Sequence, residues 1–195
     1  MAIIQSATGV QQEVDLTPKA SRIIEYKADG TVAQPINTGE YLSRLEIIPT
    51  TLTAAVSYFS MRNLGALRIY ITKLETKVGF SGVAAATRGI YEIARFTTAT
   101  PSGGVAIAPT KKNTVMATST CDVRFSPAGL TVAGIVVESP WHLIGHTNQV
   151  TIDHTQDIEF DSPFILNPNE GLVIRSNTAL VLGSYLIGSI RWNER

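Results

Sequence analysis

The sequence predicts an all-β protein: an antiparallel β-sandwich, jelly-roll-like, preceded by an extended N-terminal arm. Three observations carry that prediction. Roughly eight to ten short apolar runs rich in β-branched residues are punctuated by glycine, proline and asparagine. One run sets Leu67, Ile69 and Ile71 against Arg68, Tyr70 and Thr72, the period of a strand with one face in a core and one in water. No stretch sustains a convincing amphipathic helix, which leaves the sandwich and jelly-roll classes. The chain of 195 residues fits one such domain over 20–195 behind an arm over 1–19, and at that length a fold buries roughly 70% of its unfolded surface without a disulfide or metal.

Residues 1–19 mix apolar side chains with Gln11, Gln12, Glu13 and Asp15, lack a helical period and carry Pro18, hence the arm. A first strand is expected over 21–27, ended by Asp29-Gly30, and a second over 41–48, ended by Pro49. A strand over 54–62 follows a threonine-rich break, and Gly65 separates it from the period-two run. Residues 83–98 fit either state by their alanines. Gly89 and the β-branched and aromatic second half favour a strand over 89–97. Residues 106–116 read as irregular, 123–125 as a short strand ended by Pro127, and 130–138 as a strand closed by Pro140. Val150–Ile152 and Ile158–Phe160 are shorter candidates.

The C-terminal stretch is the most structured in pattern. Phe164–Leu166, the turn-forming Asn167-Pro168-Asn169-Glu170-Gly171 and Leu172–Ile174 read as strand, turn, strand. From Ala179 to Ile190 the chain is nearly all apolar, and Ala179–Leu182 does not alternate. A strand buried on both faces is the expectation there, the second face being core or a subunit contact.

Composition excludes several function classes. Lysine plus arginine and aspartate plus glutamate both number 16 with no charge block, so bulk electrostatics proposes neither nucleic acid nor an anionic membrane as partner. The start MAIIQSATG has no basic segment or long apolar stretch, and no run approaches a membrane span, so neither export by a signal peptide nor membrane insertion is expected. The single Cys121 can form no intrachain disulfide and reads as a small buried hydrophobe in a protein made in a reducing cytoplasm. Charged residues make up 16% of the chain against the usual figure of about 25%, which points to a surface partly covered by another protein.

Chemistry-bearing patterns are weak. His142, His146 and His154 lie near Asp153 and Asp157, yet Pro140 and Gly145 argue against a helix. On a strand, i and i+4 stand about 13 Å apart, too far for one metal. They read as loop or surface histidines. The pairs Asp153/Asp157 and Glu159/Asp161 carry no sign of a cleft and read as solvated carboxylates. No Gly-x-Ser-x-Gly elbow occurs, Ser102-Gly103-Gly104 lacks the Gly-Lys-Ser/Thr of a phosphate loop, and Lys111-Lys112 is a lone solvated pair. Trp141 and Trp192 could stack on a sugar, but core or interface packing suits them better. The reading is of a non-enzymatic protein with no cofactor and no metal.

Four stretches, QQEVDLTPKASRI, ATRGIYEIARFTTATPSGG, APTKKNTVMATST and SPFILNPNEGLVIRSNTALVLGSYLIGSIRWNE, resemble in the same order a family of virion structural proteins of tailed bacteriophages. The shared features fall on Val14, Asp15, Lys19, Ala20, Asn169, Glu170, Gly171, Ile174, Arg175, Trp192 and Glu194. The pattern departs at Asn193, which separates Trp192 from Glu194, and over 41–62. The resemblance implies a capsid decoration or cement protein: a jelly-roll module, homotrimeric, on the outer capsid surface of the virion where capsomers of the major capsid protein meet. Val14, Asp15, Leu180, Leu182, Leu186 and Trp192 are then the residues expected at a subunit or capsid interface. The alternative is a tail-associated or receptor-binding module recognising a host glycan, with Trp141 and the histidines as its candidates. A tail-borne esterase or glycosidase ranks third, for want of a catalytic signature.

Overall fold

The computed structural model describes residues 2–5, 11–14, 23–25, 39–80, 89–97, 100–112, 117–136, 144–146 and 154–195. The chain divides into two units, Met1–Thr38 with Arg195, and Gly39–Glu194. In the first, β1 (Ala2–Gln5), β2 (Gln11–Val14) and β3 (Ile23–Glu25) form an antiparallel three-stranded sheet in that order. Ala2 faces Val14, and Val14 faces Ile23. The segment expected as an arm is thus extended but paired with itself, and the strand expected over 21–27 is its third member.

The second unit is an all-β antiparallel sandwich, and no helix occurs among the described residues. Its strands are β4 (Gly39–Ile47), β5 (Ser57–Asn63), β6 (Ile69–Phe80), β7 (Gly89–Phe96), β8 (Val105–Ile107), β9 (Thr110–Lys111), β10 (Cys121–Leu130), β11 (Ile135–Val136), β12 (Ile144–His146), β13 (His154–Leu166), β14 (Gly171–Ser176) and β15 (Ser184–Glu194). A five-stranded sheet runs β13-β6-β15-β4-β9. A seven-stranded sheet runs β11-β7-β14-β5-β10-β8, with β12 also on β7. The chain switches sheet at each step from β4 to β7 and again from β13 to β15, the double-sheet winding that makes the sandwich jelly-roll-like. The expected strand, turn, strand over 164–174 is therefore no hairpin, because β13 and β14 lie in different sheets.

Between the sheets sits one main core, with Trp192, Tyr41, Tyr58, Tyr91, Phe59 and Leu45 among its largest fully buried side chains. Tyr41 stacks on Trp192 with ring centroids 5.9 Å apart. The strand β15 alternates, burying Ser184, Leu186, Ile190, Trp192 and Glu194 while the residues between keep partial access to water. The expectation of burial on both faces over 179–190 is overturned, since Ala179–Gly183 is a connection in which Leu180 is buried and Leu182 exposed.

Burial on both faces occurs instead in β5, every residue of which is buried, and nearly so in β7 and β14. A second cluster accounts for it in β7 and β14: Ala94, Phe96 and Val173 pack together beneath Val132 and Ile135. Residues 131–136 thus cross the outer face of the seven-stranded sheet and are bridged there to the 100–104 segment. Ser102 and Thr131 exchange backbone hydrogen bonds of 3.0 and 3.1 Å. Pro101 is buried, and the buried Arg62 donates to Thr100 Oγ1 and to Asn169 O. This crossing corrects the strand expected over 130–138: Leu130 ends β10, Gly134 turns at positive φ, and only Ile135–Val136 pair with β7. Likewise β10 does not stop before Pro127. Its ladder with β5 breaks between Phe125 and Leu130, and the proline, which has no N–H to pair, occupies the break.

Leu67, expected on the inner face with Ile69 and Ile71, precedes β6 and is exposed. Residues 105–107 and 110–111 form short edge strands within the region expected to be irregular, whereas Ile158–Phe160 belongs to the longer β13. Val150–Ile152 lies outside the described residues.

Candidate functional surface

Several carboxylates of the sandwich are tied into hydrogen bonds that hold it together. Glu92 on β7 accepts from Arg175 Nε on β14 and, at 2.6 Å, from Asn177 Nδ2. Glu170 accepts from Arg95 Nη1 at 2.7 Å and from Asn167 N at 2.9 Å. Burial pushes the Glu170 carboxyl up, but these donors outweigh it and hold the group below its ordinary range. Arg95 also lies 4.7 Å over the Phe164 ring and donates to Ile165 O, so one guanidinium joins the two sheets beside the 167–170 turn. In that turn Asn169 holds a φ of 68°, a conformation asparagine tolerates better than most residues.

Glu194 at the end of β15 is buried and accepts from Ser119 Oγ at 2.5 Å, Thr120 N at 3.1 Å, Thr120 Oγ1 at 3.2 Å and Trp192 Nε1 at 3.4 Å. Its last strand is thereby clamped onto the 117–121 segment. Cys121, expected to be a buried hydrophobe, is one. Burial, reinforced by Glu194 beside it, pushes its thiol up, away from the thiolate that nucleophilic chemistry requires. Burial raises Tyr41 in the same way, again with Glu194 nearby.

No group of three or more histidine, cysteine, aspartate or glutamate side chains suited to a metal occurs among the described residues. His146 lies on β12 opposite Gly89 and His154 on β13 opposite Val78. His142, Asp153 and Trp141 lie outside the described residues. Asp157 and Glu159 fall on β13, in register with Glu75 and Lys73. Among the described residues no helix is long and apolar enough to cross a membrane. Lys112 is exposed to water, as expected, and pairs there with Glu40 at 2.5 Å.

The surface that stands out is one end of the sandwich. Three nine-residue segments meet there, 48–56, 126–134 and 176–184, and none contains Lys, Arg, Asp or Glu. At the chain-wide 16% charge, such segments together would carry about four charges. They are bonded to one another: Thr50 N donates to Pro127 O at 2.8 Å, Leu180 N to Leu52 O at 2.7 Å, and Ala55 N to Ser176 O at 2.8 Å. Ser176 Oγ donates to Thr53 O, and Tyr58 Oη to Thr51 O, so the loops are fixed from below as well as sideways. On this frame Leu182 is 79% exposed and Ile48 55%, with Ala54, Ala55, Pro127, Ala128 and Ala179 also exposed. The opposite end carries Arg68, Glu170 and the Glu40–Lys112 pair.

The residues expected at an interface divide accordingly. Leu180, Leu186 and Trp192 are buried in the core of their own sandwich and present no surface, a correction to that expectation. Leu182 is the most exposed large apolar residue described. Val14 closes β2, and Asp15 lies outside the described residues. Ile48 was missed, although the sequence holds a signal for it. In an alternating strand only one of the adjacent Ile47 and Ile48 can face the core.

Comparison with protein-family models, with curated proteins and with solved structures gives no match to this chain.

Proposed function

We propose that this chain is a non-enzymatic structural protein of a tailed-bacteriophage virion. Its role is capsid decoration: homotrimers bind the outer capsid between capsomers and stabilise the DNA-filled head. One observation carries the reading. The residues through which the chain resembles that family are, in the sandwich, the ones that hold it together: Asn169 and Glu170 form the turn between the sheets, Arg175 pairs with Glu92, Trp192 stacks on Tyr41, and Glu194 clamps the 117–121 segment. Within the sandwich, the likeness therefore falls on the scaffold.

The physics of decoration suits such a scaffold. Packed DNA loads the shell from within, and a subunit bridging capsomers adds interface that must be broken before they part; a standard interface buries on the order of 1,600 Å². Purified protein added to heads assembled without it should raise the temperature at which the heads release DNA. Heads that neither bind the protein nor gain stability would overturn the reading.

A further inference from the structure

We infer that residues 100–104 and 131–136 form a strap that opens away from the outer face of the seven-stranded sheet while the sandwich beneath it stays folded. The inference rests on the sandwich alone and not on the virion reading.

Little holds the strap closed. Its two segments are joined to each other by the reciprocal backbone pair of Ser102 and Thr131. They are joined to the sheet by the two residues of β11 on β7 and by the Arg62 bond to Thr100 Oγ1. Beneath them β14 is paired over five residues with β5 and over six with β7. The apolar contacts of the strap, Val132 and Ile135 on Ala94, Phe96 and Val173, belong to a cluster separate from the main core. Lifting it therefore leaves the packing of Trp192, Tyr41 and Phe59 untouched, and opening costs less than unfolding the sandwich.

Closure also strips polar groups of water. Ser60 stands on that face between Arg124 and Val173 in the register, fully buried, and its Oγ has no hydrogen-bond partner. Two residues on, Arg62 is 9% exposed and bonds only neutral acceptors, Thr100 Oγ1 and the two oxygens of Asn169, while Asp122 opposite it pairs with Arg124. A buried hydroxyl without a partner and a buried cation without a counter-charge both raise the free energy of the closed state. Opening hydrates them.

The roots of the strap can bend. One segment meets β8 at Gly104, with a φ of 66°, and the other follows Gly129 near the end of β10, with a φ of 109°. A Cβ on Gly103 would lie 3.9 Å from the Gly129 carbonyl oxygen, so the two roots adjoin and can serve as one hinge.

Thiol labelling of the folded chain tests the inference. Ala94 lies beneath the strap and Cys121 in the main core, so Ala94→Cys sets a reporter under the strap beside a built-in reference. Each rate is taken relative to that of the same thiol in the unfolded chain. Without denaturant the introduced thiol should react at least about a hundredfold faster than Cys121, and low urea should leave its rate unchanged. Adding Ser60→Ala should slow it at least about fivefold, because closure then no longer buries an unpartnered hydroxyl. Hydrogen exchange on the unaltered chain guards against a strap loosened by the extra sulfur: the Ser102 and Thr131 amides, bonded to each other's carbonyls, should exchange well before those of β5 and β14. An introduced thiol that reacts no faster than Cys121, a rate unmoved by Ser60→Ala, or Ser102 and Thr131 amides that exchange only together with β5 and β14 would each overturn it.

Discussion

At Gly188 the backbone of β6 leaves no room for a side chain on β15. A Cβ built there would lie 1.9 Å from the Glu75 carbonyl oxygen, and backbone cannot yield as a flexible side chain can. Gly188→Ala should therefore lower unfolding stability by roughly 1–3 kcal/mol by overpacking, measured by denaturant titration. Trp192→Ala acts by the opposite route, leaving a cavity beside Tyr41 and one donor fewer on Glu194, with an expected loss of about 3–5 kcal/mol. Glu75 gives a pH signature. Hydrogen bonds from Lys73 and Ser189, with the Arg191 charge beside them, lower its carboxyl to about 2. A carboxylate whose folded value is depressed adds stability that is present above its unfolded value and lost as pH falls through the folded one. Melting temperature should accordingly fall from about pH 4.5 towards 2, and Glu75→Gln should flatten that limb. The group is solvent-accessible, so the effect is small. An acid limb unchanged by Glu75→Gln would show that other carboxylates set it.

At the scale of elements, β7 and β14 are joined by the Glu92–Arg175–Asn177 network in addition to their ladder. Glu92→Ala leaves Arg175 without its counter-charge in a partly buried place and should cost about 2–3 kcal/mol, somewhat below the range for a fully buried pair because Arg175 keeps some contact with water. A loss below about 0.5 kcal/mol in the same denaturant titration would mean that the pair adds nothing to the ladder. The elements also differ in how well the sequence announced them. Strands β4 and β7 were legible because apolar, β-branched or aromatic residues end there on Pro49 or begin on Gly89. The crossing at 131–136 was not, because Val132 and Ile135 bury themselves on the outer face of a sheet and so keep the apolar pattern of a strand. Much of β13 was hidden for the opposite reason: its run His154–Asp161 is polar and it is a sheet edge, so few apolar residues betray it. Leu182 is exposed, but Leu186 and Trp192 were misplaced, since an apolar residue looks alike in sequence whether it faces a partner or its own core.

At the scale of the whole molecule, charge is distributed unevenly around the sandwich. One sheet face and one end carry ion pairs, while the other end carries no ionisable side chain in three adjoining segments. The buried networks described above serve the scaffold. The resembling residues serve it too. On the proposed function, the chain is a building part of a virion present in many copies. The measurement that tests this most directly is the band intensity of the chain, relative to the major capsid protein, on a stained gel of purified virions. A decoration protein should reach a copy number of the same order as the major capsid protein, and a handful of copies per particle, as expected of a tail tip, would rule that role out.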